Sequence, residues 1–199
     1  MDKKLIYLTV DQDEADETRV EKVSFVDSPA IQRGWMAFNN QQRFKVQSED
    51  RRIVSGALMV AGLPIYRRDE SGEYYVSFTA SAIQSIVYKF MKENRTKEVN
   101  EMHETDVDGV FLFESFIVDS TRGIRTPDGF DELPDGSWFG SFKVENDEVW
   151  DNRHAFKGFS VEGLFGMKNT GTELEVALAG LADDLTAFLQ HINPTYKSQ

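Results

Sequence analysis

The sequence predicts a mainly β protein of the α+β class, a β-barrel or β-sandwich with helices packed on its outside. Short apolar runs separated by turn residues recur along most of the chain, and only two segments have helical periodicity. Fifteen Phe and three Trp among 199 residues supply a large core. We therefore expect a single domain over residues 1–199.

The N-terminal part, residues 1–38, is predicted to contain two strands. The segments "KLIYLTV" and "VEKVSFV" are apolar and β-branched, and an acidic loop separates them. Pro29 ends the second strand because it has no amide hydrogen for a central ladder. The polar segment "NNQQ" at residues 39–42 is predicted to be a hinge to the rest of the chain.

The main body, residues 43–168, alternates strands with one helix. Predicted strands include "RRIVSGALMVAGLPIY", "EYYVSF", "GVFLFESFIVD", "SWFGSFKV" and "FKGFSVEGLF". Residues 80–93 have apolar side chains at helical spacing, which predicts a helix with one buried face. The segment 119–137 is rich in Gly, Pro and Asp, and a loop of this length in a compact domain is commonly functional.

A long helix is predicted over residues 172–193. Thr172 and Glu175 match a capping box, a stripe of leucines follows, and Pro194 ends the pattern. Such a stripe indicates docking, either on the parent domain or on a partner.

Composition excludes several functions. The net charge of −12 argues against nucleic acid as a partner, and the absence of Cys excludes disulfides, thiolate metal sites and cysteine nucleophiles. The first ten residues contain only a short apolar run without a cleavage site, so we expect no signal peptide. No apolar stretch approaches the length of a membrane span. We expect a cytosolic protein without cofactor or membrane contact.

Ser160 is a candidate nucleophile. It lies in an apolar strand between Gly158 and Gly163, and a serine nucleophile needs a nearby base, usually histidine. His154 and His191 are predicted to lie on the surface, whereas His103 follows a helix and precedes a strand, a junction where sites are often built. The pattern "GFSVEG" is not the nucleophile elbow of α/β-hydrolases, since its second glycine comes one residue late.

A metal site is the alternative interpretation of the same stretch. His103, Asp106 and Asp108 could supply nitrogen and oxygen ligands. No second cluster of ligands accompanies them, so we expect no metal.

The motifs together resemble one family. The segment "EMHETD" follows a helix ending in "KFM", and "GVFLFESFIVD", "DGSWFGSFKVENDEVWD" and "FKGFSVEGLF" come after it. Over residues 55–166 this order is similar to the phage prohead maturation serine proteases, which are related in fold to the herpesvirus capsid protease, assemblin. The resemblance implies a closed or partly open antiparallel β-barrel, with Ser160 as nucleophile and His103 as general base.

The segment "EKVSFVDSPAI" resembles a strand that follows the catalytic serine in many of these proteases. Here it precedes the serine, which indicates a circular permutation through the hinge. The family's glutamate, which orients the histidine, would fall on Lys22, and lysine cannot accept a hydrogen bond. Glu21 and Ser24 are the remaining candidates for an orienting residue.

The resemblance implies a serine endopeptidase that cleaves the scaffold protein, the prosegment of the major capsid protein, and itself. It would act inside the immature capsid, in the cytoplasm of the infected bacterium, as a homodimer or bound to the capsid. The loop 119–137 would border the substrate cleft or be an autocleavage site. The unmatched glutamate favours an alternative, a catalytically inactive capsid- or scaffold-interaction module that retains the protease fold.

Overall fold

The computed structural model describes residues 6–10, 18–26, 45–69, 72–165 and 168–169. This part of the chain contains twelve strands and two α-helices. The helices are α1 (Ala80–Lys92) and α2 (Asp147–Asp151). The strands are β1 (Ile6–Val10), β2 (Arg19–Val26), β3 (Lys45–Ser48), β4 (Ile53–Met59), β5 (Ile65–Asp69), β6 (Gly72–Phe78), β7 (Val99–Glu101), β8 (Thr105–Asp106), β9 (Val110–Ile117), β10 (Trp138–Val144), β11 (Gly158–Leu164) and β12 (Lys168–Asn169).

The strands form three four-stranded sheets, with the orders β12-β1-β6-β5, β3-β4-β10-β9 and β11-β2-β7-β8. Most neighbours are antiparallel, but β1 pairs with β6 in parallel and β2 pairs with β7 in parallel. The third sheet is called the site sheet below. Its central strand β2 comes from the N-terminal part of the chain and lies between two strands of the main body.

The mainly β content agrees with the prediction, and one of the two predicted helices is present as α1. A closed antiparallel barrel is wrong for the described residues. Closure requires every edge strand to find a partner. Here β8 and β12 contain two residues each, too few backbone groups to continue a ladder to a further strand. The two parallel pairs also break the antiparallel pattern.

One main core lies between the three sheets and α1. It contains Trp138, Phe142, Phe25 and Phe159, all at most 2% exposed. Helix α1 begins at the N-cap Thr79, whose hydroxyl accepts a hydrogen bond from the amide of Ala82 at 3.2 Å. Its buried residues have the predicted helical spacing: Ala82, Ile83, Ile86, Val87 and Phe90. The predicted helix and its core-facing stripe are therefore confirmed.

The segment 119–137 folds into a compact loop of its own. The Asp119 carboxylate caps a short 3-10 turn, and Asp135 accepts hydrogen bonds from the amide and hydroxyl of Ser120 at 2.9 and 2.5 Å. A second small core lies beneath it, formed by Ala57, Val60, Val118, Leu133 and Phe139. The loop surrounds a cavity of about 320 Å³. None of the cavity's lining residues belongs to the site described below.

Strands β1 and β2 confirm the two strands predicted for the N-terminal part. The predicted hinge at 39–42 and the predicted helix over 172–193 lie outside the described residues. Among the helices that are described, none has the length and apolar content needed to span a bilayer.

Candidate active site

One face of the site sheet is polar, and the opposite face belongs to the core. Side chains alternate between faces along a strand, and directly opposed residues share a face. Val23, Phe25 and Phe159 therefore point into the core. The polar face contains a row of register partners that crosses all four strands, namely Ser160, Ser24, Asn100 and Asp106.

His103 lies above this row on the turn between β7 and β8. Met102 and His103 have φ values of +55° and +63°, and a backbone hydrogen bond of 3.0 Å from Glu104 to Glu101 closes the turn. Left-handed backbone costs a residue with a side chain about 1–2 kcal/mol. The amide of Met102 donates to the carbonyl of Phe25 at 3.0 Å, which attaches the strained turn to β2 next to Ser24.

A hydrogen-bond network joins His103 to the polar row. The Ser24 hydroxyl donates to Asn100 Oδ1 at 2.5 Å and lies 2.7 Å from His103 Nδ1. The amide nitrogen of Asn100 donates to Glu162 Oε2 at 3.0 Å. The same Glu162 oxygen lies 3.4 Å from His103 Nδ1. Ser24 and Asn100 are 0% and 3% exposed, so the centre of the network is shielded from water.

Ser160 is opposite Ser24 on β11 and is 6% exposed. Within the described residues no side-chain hydrogen bond joins Ser160 to His103 or to Ser24. The structure therefore places the two predicted catalytic residues on the same face of the sheet, with Ser24 beside both of them. It does not place them in direct hydrogen-bond contact.

The two candidates for the orienting residue are placed differently. Ser24 contacts the imidazole, as described above. Glu21 has no register partner on β11, and its carboxylate accepts a hydrogen bond of 2.8 Å from Arg19 Nε. Lys22, where the resemblance puts the family's glutamate, forms an ion pair with Asp106, and that hydrogen bond raises the pKa of the Lys22 ammonium.

Two residues of the network were not among the predicted site residues. Glu162 lies directly across the ladder from Lys22, so a carboxylate is present on the strand facing the expected position. Strand alternation alone places Glu162 on the face of Ser160, which is a signal in the sequence. No comparable signal marks Asn100, because its contact with Ser24 depends on the parallel register of β2 and β7.

A β-bulge interrupts the pairing of β2 with β11 beyond the Lys22–Glu162 pair, and Glu21 on β2 is its extra residue. It requires Gly163, because a Cβ at this position would collide with the backbone carbonyl of Arg19 on β2. The glycine thus allows the backbones of β2 and β11 to approach closely at this point.

In the part of the chain that the structure describes, no three His, Asp or Glu side chains are grouped so as to hold a metal ion. Of the three suggested ligands, Asp106 is bound to Lys22 and His103 to Ser24. The geometry thus gives no support to the metal alternative.

A comparison with protein families identifies the chain. The family model described as "Putative phage serine protease XkdF" matches residues 42–168, well over half of the sequence. The chain belongs to this family of phage serine proteases. The resemblance to the phage prohead serine proteases is thereby confirmed, and with it a protease role in a phage.

The matched segment of the phage protease includes His103, Asn100, Ser160 and Glu162, and Ser24 lies before it. Searches among curated proteins and among solved structures gave no significant match. The circular permutation and the relation to assemblin stay predictions.

Proposed function

We propose that this phage protease is a serine endopeptidase in which Ser160 is the nucleophile and His103 the general base. One observation carries the proposal: the serine and the histidine share one polar sheet face, and a buried network holds the imidazole beside the serine's cross-strand neighbour. Antiparallel partners have their Cβ atoms about 4.5–5.5 Å apart. The Ser160 side chain therefore lies next to that of Ser24, whose hydroxyl oxygen contacts His103.

Two serines compete for the role of nucleophile, and the hydrogen bonds favour Ser160. Ser24 uses its one hydroxyl hydrogen on Asn100 and is completely buried. The Ser160 hydroxyl makes no hydrogen bond with the described residues, so it is available to a base and a substrate. Catalytic hydrogen bonds are often long without substrate and tighten when it binds. A missing Ser160–His103 contact in the free protein is compatible with this role.

The chemistry follows from these assignments. Ser160 Oγ attacks the scissile carbonyl carbon while the free nitrogen of His103 takes its proton. The imidazolium then donates that proton to the leaving amine as the C–N bond breaks, which leaves an acyl-enzyme. Water attacks the ester with His103 again as base, the ester bond breaks, and the proton returns to Ser160.

For the biological role, we propose prohead maturation. The substrates would be the scaffold protein, the prosegment of the major capsid protein and the protease itself, inside the immature capsid in the cytoplasm of the infected bacterium. We further propose that the protease assembles as a homodimer or binds to the capsid. The loop 119–137 would border the substrate cleft or contain an autocleavage site. Membership of a phage protease family supports this role.

The test co-expresses the full chain with the capsid and scaffold proteins of its phage and measures all products by intact mass. Wild type should cleave them, and Ser160→Ala and His103→Ala should lower the rate by about 10⁴–10⁶. Ser141→Ala is the matched control, because Ser141 is a buried strand serine in another sheet. It should cleave at the wild-type rate. Equal cleavage by all four proteins would remove Ser160 and His103 from the mechanism.

Labelling with a fluorophosphonate distinguishes the two serines. Peptide mapping of the labelled wild type should find the adduct on Ser160, whereas an adduct on Ser24 would reassign the nucleophile. The inactive interaction module is a second candidate, favoured by the missing Ser160–His103 hydrogen bond and by Lys22 at the glutamate position. It predicts no adduct and no cleavage, together with stable co-purification of the capsid or scaffold protein.

A further inference from the structure

We infer that Asn100 and Glu162 are positioning residues for His103, acting through Ser24 to hold the imidazole as the Nδ1–H tautomer. In this form the lone pair is on Nε2, the nitrogen that takes the proton of the nucleophile. The inference rests on the proposed function and deepens it, because it names the groups that take the place of the third member of a catalytic triad.

The donor and acceptor of each hydrogen bond can be assigned by starting from Glu162. An ionised carboxylate only accepts hydrogen bonds, so its contact with Asn100 must use the amide NH₂ group. The Asn100 side chain is thereby oriented with its carbonyl oxygen toward Ser24. A carbonyl oxygen also only accepts, so Ser24 donates to Asn100.

The direction of the last bond follows from counting hydrogens. A serine hydroxyl has one hydrogen, and Ser24 gives it to Asn100. At 2.7 Å from Ser24 Oγ, His103 Nδ1 must therefore be the donor. The opposite tautomer would direct the Nδ1 lone pair at the lone pairs of the Ser24 oxygen. Burial of Ser24 and Asn100 leaves no water to relieve that contact.

Glu162 also acts on the imidazole directly. Its Oε2 lies 3.4 Å from Nδ1, where it is a second acceptor for the same hydrogen and a counter-charge for the imidazolium that forms during catalysis. Lys22 faces Glu162 across the ladder but forms its ion pair with Asp106. The Glu162 carboxylate is therefore available to Asn100 and His103. Fixing the tautomer is valuable, since an aspartate-to-asparagine change that reverses it in a Ser-His-Asp protease costs about 10⁴-fold in kcat.

The first test measures the tautomer. The full chain is labelled with ¹⁵N-histidine, and the ring nitrogens are recorded by NMR at a pH where the imidazole is neutral. Only three histidines contribute, and a His103→Gln spectrum identifies the signals of His103. We expect a protonated Nδ1 and an unprotonated Nε2. A His103 ring that is protonated at Nε2 in the wild type would overturn the inference, whether or not the protein cleaves peptides.

The second test changes the network and measures both the tautomer and kinetics. Ser24→Ala and Asn100→Leu should shift His103 toward a mixture of tautomers and lower kcat by about 10²-fold, with a small change in KM. Glu162→Gln keeps an acceptor for Asn100 and removes the charge. It should retain the tautomer and lower kcat about tenfold, less than the other two. Ser55→Ala, in the β3-β4-β10-β9 sheet, is the control and should match the wild type.

The results separate the inference from the proposed function. Loss of cleavage in Ser160→Ala tests the nucleophile alone, and wild-type kcat in folded Ser24→Ala or Glu162→Gln would reject the positioning role. If Asn100→Leu does not fold, Glu162→Gln still tests the positioning role. The Glu162 side chain is 44% exposed, so we expect this variant to fold. The wild-type spectrum decides the tautomer without any variant.

Discussion

The described part of the chain contains two buried pairs of serines that face each other across antiparallel strands, and only one pair is part of the candidate site. Ser55 and Ser141 face each other on β4 and β10, and Ser24 and Ser160 on β2 and β11. In the first pair the hydroxyl oxygens lie 2.8 Å apart, and Ser55 also contacts Gln47 Oε1 at 2.6 Å. In the second pair the Ser24 hydroxyl is bound to Asn100 and His103, and no hydrogen bond joins the two hydroxyl groups.

The difference shows that a buried strand serine is not a site by itself. A serine pair whose hydroxyls bind each other satisfies its own polar groups and only stabilises the sheet. The Ser24–Ser160 pair is different because the strand beside it, β7, carries an amide and leads into the turn with His103. The residues on the neighbouring strand thus determine whether such a pair only stabilises the sheet or takes part in the candidate site.

The largest difference between the two regions is expected for glycine substitutions. Gly163→Ala would drive a methyl group into the backbone of Arg19. Gly140→Ala, beside Ser141, would instead meet the terminal methyl groups of Leu112 and Leu58 at 2.6 and 3.1 Å. We expect Gly163→Ala to lower the free energy of unfolding by about 3 kcal/mol and Gly140→Ala by about 1 kcal/mol. Urea unfolding measures both, and equal losses would contradict the description of the bulge.

A double-mutant cycle measures the contrast between the serine pairs. Ser55→Ala and Ser141→Ala remove the two ends of one hydrogen bond, so their effects on unfolding should be coupled by about 1 kcal/mol. Ser24→Ala and Ser160→Ala share no hydrogen bond, so their coupling should be below about 0.3–0.5 kcal/mol. Strong coupling between Ser24 and Ser160 would show that they bind each other in solution.

The smallest effect concerns Glu101, which lies on β7 beside Asn100 but faces away from Glu162. Its Oε1 is buried and has no hydrogen-bond partner among the described residues. Burial raises the pKa of the Glu101 carboxyl above its ordinary value of 4.5, and the charge of Glu148 raises it further. A raised pKa in the folded state means that the stabilisation is present below pH 4.5 and is lost as the pH rises through the folded-state value.

Glu101→Gln should therefore increase the free energy of unfolding at pH 7. The gain should stay below about 1 kcal/mol, because solvent reaches part of this side chain and screens its charge, and it should shrink as the pH approaches 4.5. Thermal unfolding at several pH values measures it, with the exposed Glu132→Gln as a control of equal charge change. A variant less stable than the wild type at pH 7 would mean that Glu101 has a favourable partner.

Local patterns in the sequence account for much of the fold. The helical spacing over 80–93 predicted α1 and its buried face, and the alternation around Ser24 and Ser160 predicted two strands with apolar residues on one side. His103 was selected because it follows a helix and precedes a strand, whereas the structure places it on the turn between β7 and β8. The predictions of α1 and of the two strands succeed because periodicity acts between residues close together in the chain.

Whether the strands form a barrel, and which residues form the hydrogen-bond network around His103, could be learned only from the tertiary structure. Whether strands close into a barrel depends on the length and pairing of the edge strands, which single-strand patterns do not reveal. Asn100 and Glu162 join His103 only through the registers of β7 with β2 and of β2 with β11. A shift of one residue in either register would turn these side chains to the core face.

The sequence by itself determined the candidate residues Ser160 and His103 and the strand that contains Ser160. The tertiary structure decided which serine binds the imidazole, which carboxylate faces it, and that Lys22 binds Asp106 instead. The physical reason is that strand register is set by packing between segments far apart in the chain. Ser24 and His103 are 79 positions apart, and Glu162 is 59 positions beyond His103.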